Sequence, residues 1–344
     1  MASRISSGAP TITFITGVDA DFFGQLFLLL GSLRHNSPGL WLHVCDLGLT
    51  DQQCNYLQRT GRLLARPADR RLTRHPWYDK AALDAYTGGL DADFLVWFDA
   101  DLIVLSDIVP LVQDLCIAMQ AENQIVAAAA SPCPLGALEW LDHAPAFKRA
   151  ISSLDLESPY LNSAVIICNS REFLARWAKH CESLPFEFLF EQNAFNLTAY
   201  EQPERIRVLD PWIWNLSGPA FRSVQVVQTG PYDLEIIGRS GTVNILHATS
   251  SNSGNEDVRA SDCHLEVNDT LFRPQLKIIN CFEALVKYQF NLVSECITAE
   301  AQALIGSGFG SPGRGVVLGT DARRDPSRLV RGFAAERRPG SSSK

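Results

Sequence analysis

No two of the nine cysteines are spaced as CxxC, and their number is odd, so neither a disulfide framework nor a zinc ribbon is indicated. Scattered thiols of this kind fit a reducing compartment, and the cytoplasm is the expected location. Positive charge is in deficit: 30 Lys and Arg stand against 38 Asp and Glu, a formal net charge of −8. That balance argues against a general nucleic-acid binder, which presents a basic face, and restricts any bound nucleotide to a small one. A long apolar run is missing as well. The longest, Phe22 to Leu33, is too short and too interrupted to span a bilayer, and the first residues lack the basic-then-apolar layout of a signal peptide. The chain is therefore expected to be soluble. It has no internal repeat.

What is present is a core-forming composition, 46% hydrophobic over 344 residues, enough for one large α/β domain or two smaller ones. Strand-like runs recur at Thr11 to Thr16, Trp41 to Asp46, Phe94 to Phe98, Ile125 to Ala130, Ala164 to Cys168, Arg205 to Leu209 and Thr242 to His247. Between them, Phe22 to His35, Asp51 to Thr60, Asp79 to Tyr86, Ser170 to Ser183 and Gln192 to Tyr200 have helical length or spacing. The alternation predicts an α/β sheet with crossover helices, in which ligands bind beyond the carboxyl ends of the strands. Asp19 and Asp21 follow the first of these strands and Asp99 and Asp101 the third, which predicts four acids along one rim. Phe272 to Ile305 reads as one or two amphipathic helices burying Leu276, Ile279, Phe282, Leu285, Val286, Phe290 and Val293. From Gly306 to Lys344 the chain is rich in Gly, Ser, Pro and Arg, the composition of a flexible basic tail. Its charges, among them Arg314, Arg323, Arg331 and Lys344, either stay solvated or make peripheral contact with an anionic membrane surface.

The tetrapeptide Phe98-Asp99-Ala100-Asp101 closes the apolar run Phe94-Leu95-Val96-Trp97. Residues i and i+2 of a strand share a side, so the two carboxylates can converge on one cation unless a turn at Ala100 separates them. Two carboxylates about 4 Å apart repel by roughly 1 kcal/mol in water and roughly 4 kcal/mol at an effective dielectric of about 20. A divalent ion removes that repulsion. The competing explanation is a polar strand end ahead of a helix capped by Asp107.

The segment from Trp77-Tyr78-Asp79-Lys80 through Phe94 to Val104 resembles the central motif of GT-A glycosyltransferases, especially glycosyltransferase family 8. Thr13 to Phe22 looks like that family's nucleotide-holding first strand and loop. The resemblance implies that Thr16 and Gly17 lie against the donor and that Asp19 and Asp21 face base and ribose. Leu161-Asn162-Ser163-Ala164-Val165 is similar to its Asn-Ser/Ala-Gly strand start, with Ala164 where glycine is usual. Glu191-Gln192-Asn193 resembles its Asp-Gln-Asp helix start, and Asn244-Ile245-Leu246-His247 the strand that delivers a third metal ligand. The implied fold is a nucleotide-diphospho-sugar transferase fold, a mixed sheet flanked by helices. The implied domain plan is an arm at 1–10, a catalytic domain at 11–255, a helical extension at 256–305 and the tail at 306–344.

The implied chemistry is transfer of a sugar from a nucleotide-diphosphate donor, a uridine-diphosphate sugar, with retention. Asp99, Asp101 and His247 hold Mn2+ or Mg2+, ions that suit mixed carboxylate and imidazole ligands. The backbone at Ala100, Ser163 and Ala164 adjoins the donor, and Asn162, Glu191 and Gln192 adjoin the reacting sugar. Lys80 is directed at the donor or is a solvated surface lysine. Trp212-Ile213-Trp214-Asn215 can line an acceptor pocket, although Trp214 also reads as core. The acceptor is a saccharide, a lipid-linked sugar or a protein. Where relatives carry a glycine and then a lysine after the histidine, this chain has Ser250 and Ser253. Serine bonds phosphate without supplying charge, so either Lys80, Arg239 or Arg259 compensates or donor affinity is low; the competing reading is a sugar-nucleotide-binding pseudoenzyme or partner subunit. A haloacid-dehalogenase-type phosphatase also places Asp-x-Asp after a strand, but that motif opens its domain and is followed by Thr or Val, whereas Leu102 follows here.

Overall fold

The computed structural model describes residues 9–68, 75–249, 257–262, 265–267, 270–272 and 275–306. Ser250, Ser253, residues 1–8 of the arm and residues 307–344 of the tail lie outside them.

The first half of the chain forms β1 (Ile12–Val18), α1 (Phe23–Asn36), β2 (Leu42–Asp46), α2 (Asp51–Arg59), β3 (Leu63–Leu64), α3 (Pro76–Ala81), α4 (Leu83–Thr87), β4 (Phe94–Phe98), β5 (Leu102–Val104) and α5 (Ile108–Ala121). There follow β6 (Val126–Pro134), α6 (Pro145–Ala150), β7 (Pro159–Cys168), α7 (Arg171–Ser183), α8 (Phe190–Ala199), β8 (Ile206–Leu209), α9 (Pro211–Trp214) and β9 (Leu216–Ser217). A meander, β10 (Gln225–Gln228), β11 (Leu234–Gly238) and β12 (Gly241–Thr242), precedes β13 (Ile245–His247). The described chain closes with β14 (Val258–Asp262), β15 (Leu265–Val267), β16 (Thr270–Phe272), β17 (Gln275–Ile279) and α10 (Glu283–Gly306).

Seven strands make a mixed sheet in the order β3-β2-β1-β4-β7-β6-β8, with β7 running against its neighbours. Strand β4, Phe-Leu-Val-Trp-Phe, is buried throughout because both faces of the sheet are covered. Alternate side chains divide between the layers. Phe94, Val96 and Phe98 join the cluster that contains α1, α5 and α10, while Leu95 and Trp97 join that of α7 and α8. Several helices start where small polar residues satisfy free amides: Thr50 and Gln53 form a capping box on α2, and Asp107 and Ser170 cap α5 and α7.

Three expectations change. The helix read over Asp79 to Tyr86 is broken at Ala82, whose ψ of 23° leaves the helical range, so α3 and α4 are separate. The strand at Thr242 to His247 is interrupted after Thr242. The helical reading of Phe272 to Ile305 holds only from Glu283. Leu276, Ile278 and Ile279 are buried on strand β17, which pairs with β14; three apart, Leu276 and Ile279 point to opposite sides of the strand, and the burial of both imitates a helical period.

Candidate functional site

Strand β4 delivers the acidic pair. After Phe98 the chain turns, with Leu102 N–H donating to the Asp99 carbonyl at 3.2 Å, and re-enters as β5. That turn does not part the carboxylates. Strand β13 pairs with β5 so that His247 lies opposite Leu102, and Ala248 N–H donates to the Asp101 carbonyl at 2.9 Å. One ligand atom from each of Asp99, Asp101 and His247 lies within 4.8 Å of the others. His247 Nε2 is 3.3 Å from Asp101 Oδ1, while its Nδ1 is buried without a hydrogen-bond partner. Two carboxylates and an imidazole with an unsatisfied nitrogen are a donor set that fits a divalent ion.

Lys80 is buried, which excludes the solvated alternative. Its Nζ reaches Asp99 Oδ1 at 2.8 Å, Ser163 Oγ at 3.1 Å and Glu191 Oε1 at 3.6 Å. Trp97 Nε1–H donates to the same Asp99 oxygen at 2.7 Å, and its ring lies 5.7 Å from the ammonium. Burial alone would lower the Lys80 pKa, but Asp99 and then Glu191 outweigh it and hold it raised. The same burial pushes Glu191 up to about 7 against the pull of Lys80. For Asp101 burial favours the neutral acid, yet His247 and Lys277 overcome it and hold the carboxyl well below the usual range.

A bulge places Ser163. In the ladder between β6 and β7, Ala128 faces Ile166 but the next residue, Ala129, faces Asn162, so 163–165 bow away from β6. Asp99 N–H donates to the Ala164 carbonyl at 2.8 Å, which ties the bowed segment to the acidic turn. Asn162 Oδ1 accepts from Ala164 N–H at 2.8 Å and braces the bulge from within. Helix α8 completes the network. Leu189 adopts φ 51°, a left-handed conformation costly for a branched side chain, immediately before the first turn that carries Glu191 and Gln192. Gln192 Oε1 accepts from Ser163 N–H at 3.1 Å, and Asn196 bonds both backbone groups of Leu161.

Thr16 and Gly17 lie near the end of β1, which runs parallel to β4 with Ile15 beside Trp97. Thr16 is fully buried with its hydroxyl unpartnered. A Cβ on Gly17 would meet Trp97 and Leu47 at 2.7 Å, so the glycine is also demanded by packing. Asp19 accepts from Phe22 N–H at 2.9 Å, and Asp21 is exposed. Trp214 is buried in the core, and Trp212 packs partly buried beside it. Arg239 is exposed in the turn between β11 and β12. The side chain that sequence reasoning missed is Lys277, whose Nζ lies 2.8 Å from Asp101 Oδ2. It sits on the strand read as helix, with no motif around it to signal the contact.

No family model matches the chain, and no curated protein matches it. Solved structures similar to it include the WbbM bifunctional glycosyltransferase in its apo form, at 14% identity over 61% of this chain and a TM-score of 0.44. The match spans 40% of the length of WbbM. Galactosyltransferase LgtC in complex with donor and acceptor sugar analogues is similar at 15% identity over 68% of this chain and 86% of that one, with a TM-score of 0.46. Mouse xyloside xylosyltransferase 1 is similar at 13% identity over 72% of this chain and 99% of that one, with a TM-score of 0.44. Among the described residues no helix is long and apolar enough to cross a membrane.

Proposed function

We propose that the chain is a glycosyltransferase that moves a sugar from a nucleotide-diphosphate donor, a uridine-diphosphate sugar, to an acceptor hydroxyl with retention. The observation that carries this reading is the convergence of motifs far apart in sequence. Lys80 bridges Asp99, Ser163 and Glu191, Ser163 N–H reaches Gln192, and His247 lies against Asp101, the neighbour of Asp99 in the acidic turn.

Asp99, Asp101 and His247 would hold Mn2+ or Mg2+, which when bound supplies positive charge beside the leaving diphosphate. Lys80 remains charged in its buried site and adds a fixed positive charge next to Asp99. Gln192 stands at the reacting sugar. An amide is a poor nucleophile, so Gln192 orients or stabilises the oxocarbenium-like sugar while the acceptor hydroxyl attacks from the leaving-group side. Glu191 and Asn162 hold donor-sugar hydroxyls, and Thr16 to Asp21 border the nucleoside.

Incubation with a panel of nucleotide sugars and Mn2+, scoring released nucleoside diphosphate with and without chelator, tests the reading. Release that depends on one donor and stops with chelator is expected; release indifferent to chelator overturns the metal assignment. Donor binding without turnover would assign a sugar-nucleotide-binding protein instead. Asp101→Ala and His247→Ala are each expected to abolish metal-supported binding of the donor, and unchanged calorimetric titrations would show the ligands misassigned.

A further inference from the structure

Asp101 has two partners. His247 Nε2 faces Oδ1, and the Lys277 ammonium takes Oδ2 at 2.8 Å, the shorter of the two contacts. A lysine at that distance makes a charge-assisted hydrogen bond with the carboxylate and neutralises charge that a divalent ion would otherwise draw on. Lys277 is therefore a competitor for one corner of the candidate metal cluster.

Its backbone is anchored. Lys277 N–H donates to Gln25 Oε1 at 2.8 Å, and Gln25 Nε2 donates to the Lys277 carbonyl at 3.3 Å. Gln25 is itself buried on α1. The two amide bonds fix the Cα and leave the four-carbon stem as the moving part. The side chain retains 17% exposure, so it is not locked on all sides. The Phe22 ring lies 4.4 Å from the ammonium and offers a second attractive surface that persists if Asp101 is surrendered. Phe22 follows Asp21 at the end of the first-strand loop, which the proposed function sets beside the nucleoside, so an ammonium resting there stays on that side of the cluster.

We propose that Lys277 is a tethered counter-ion of Asp101 that yields its place to a divalent ion and then pairs with the anion that arrives with that ion. This rests on the metal and nucleotide-diphosphate reading above and adds to it a coupling. An ion alone meets Lys277 at Asp101 and an uncompensated positive charge beside it, so it binds weakly. An ion accompanied by a diphosphate gives the displaced ammonium a new partner, so each raises the affinity for the other by the same factor. The positive charge absent at Ser253 is thereby supplied from β17.

The test is calorimetric titration of the full chain with MnCl2 alone, with uridine diphosphate alone, and with MnCl2 at saturating uridine diphosphate. It compares the wild type with Lys277→Met, Lys277→Gln, Lys277→Arg and Asp101→Asn. Both neutral variants are expected to bind Mn2+ alone about tenfold tighter than the wild type, and to lose most of the synergy with uridine diphosphate. Lys277→Arg is expected to retain it. The rise in melting temperature on adding Mn2+ should likewise be larger in the neutral variants, which also reports whether each is folded. If the wild type binds Mn2+ in a manner lost in Asp101→Asn, but neutral variants bind no tighter and keep full synergy, the coupling falls while the metal reading stands. If neither the wild type nor the neutral variants bind Mn2+, with or without uridine diphosphate, both fall.

Discussion

Glu191 is where burial and charge conflict most openly. Its carboxyl is raised from an ordinary 4.5 to about 7, first by desolvation, with Lys80 pulling the other way. A folded-state pKa above the unfolded one means that the fold favours the protonated acid. The resulting stabilisation is complete below about pH 4.5 and is lost as the pH rises through about 7. Glu191→Gln removes the ionisable group, so the stability of wild type relative to variant should fall from pH 5 to pH 8 by on the order of 1–3 kcal/mol. Urea denaturation of both proteins at the two pH values checks this, and an equal gap at both would show that Glu191 titrates normally. Its neighbour Gln192 makes a different prediction. Gln192→Ala should lower kcat more than it weakens donor binding, and equal losses in both would make it a binding residue only. The Ser163 amide loses its acceptor in that variant, so a lowered melting temperature is also expected.

At the scale of elements, the periodic signals were readable and the irregular ones were not. Phe94 to Phe98 announces a buried strand by composition, and Ser170 announces a helix start by its hydroxyl. The bulge that bows 163–165 toward Lys80 has no comparable mark, because it depends on how β6 and β7 register across the sheet. The break at Ala82 is likewise set by packing, since alanine itself favours continuation. Strand β17 was misread for a related reason: Leu276 and Ile279 suit either geometry, and only pairing with β14 decides. With that strand went Lys277. The sequence pattern thus pointed to the clustering of Asp99, Asp101 and His247, left Lys80 open between donor and surface, and carried no sign of the cation that faces Asp101. One element contact is directly testable. A Cβ on Gly31 of α1 would lie 2.6 Å from the Leu292 carbonyl of α10, so the two helices touch backbone to backbone there. Gly31→Ala should destabilise the protein by about 1–3 kcal/mol in equilibrium unfolding, through overpacking. No loss would mean that α10 moves away freely.

Across the whole molecule, residues of the sheet, of α1 and of α10 belong to one apolar cluster, which includes Phe14, Phe27, Leu292 and Ile297. The segment after residue 256 thus covers α1 as well as bringing Lys277 to the site. A chain ending at 256 should lose cooperative unfolding, monitored by circular dichroism; a sharp native-like transition would show that segment to be accessory. The excursion between β6 and β7 has a small core of its own. Leu135, Leu138, Leu141, Ala144, Phe147, Ile151 and Tyr160 form their own small cluster, apart from the two that clasp the sheet. This excursion feeds directly into Asn162 and Ser163, and it packs on α8: Leu197 and Tyr200 lie against its cluster, and Tyr160 O–H donates to Asn193 Oδ1 at 2.9 Å. A substitution inside this small core therefore reaches Glu191 and Gln192 through the helix they share with Asn193 and Leu197, although none of its residues touches the acidic pair.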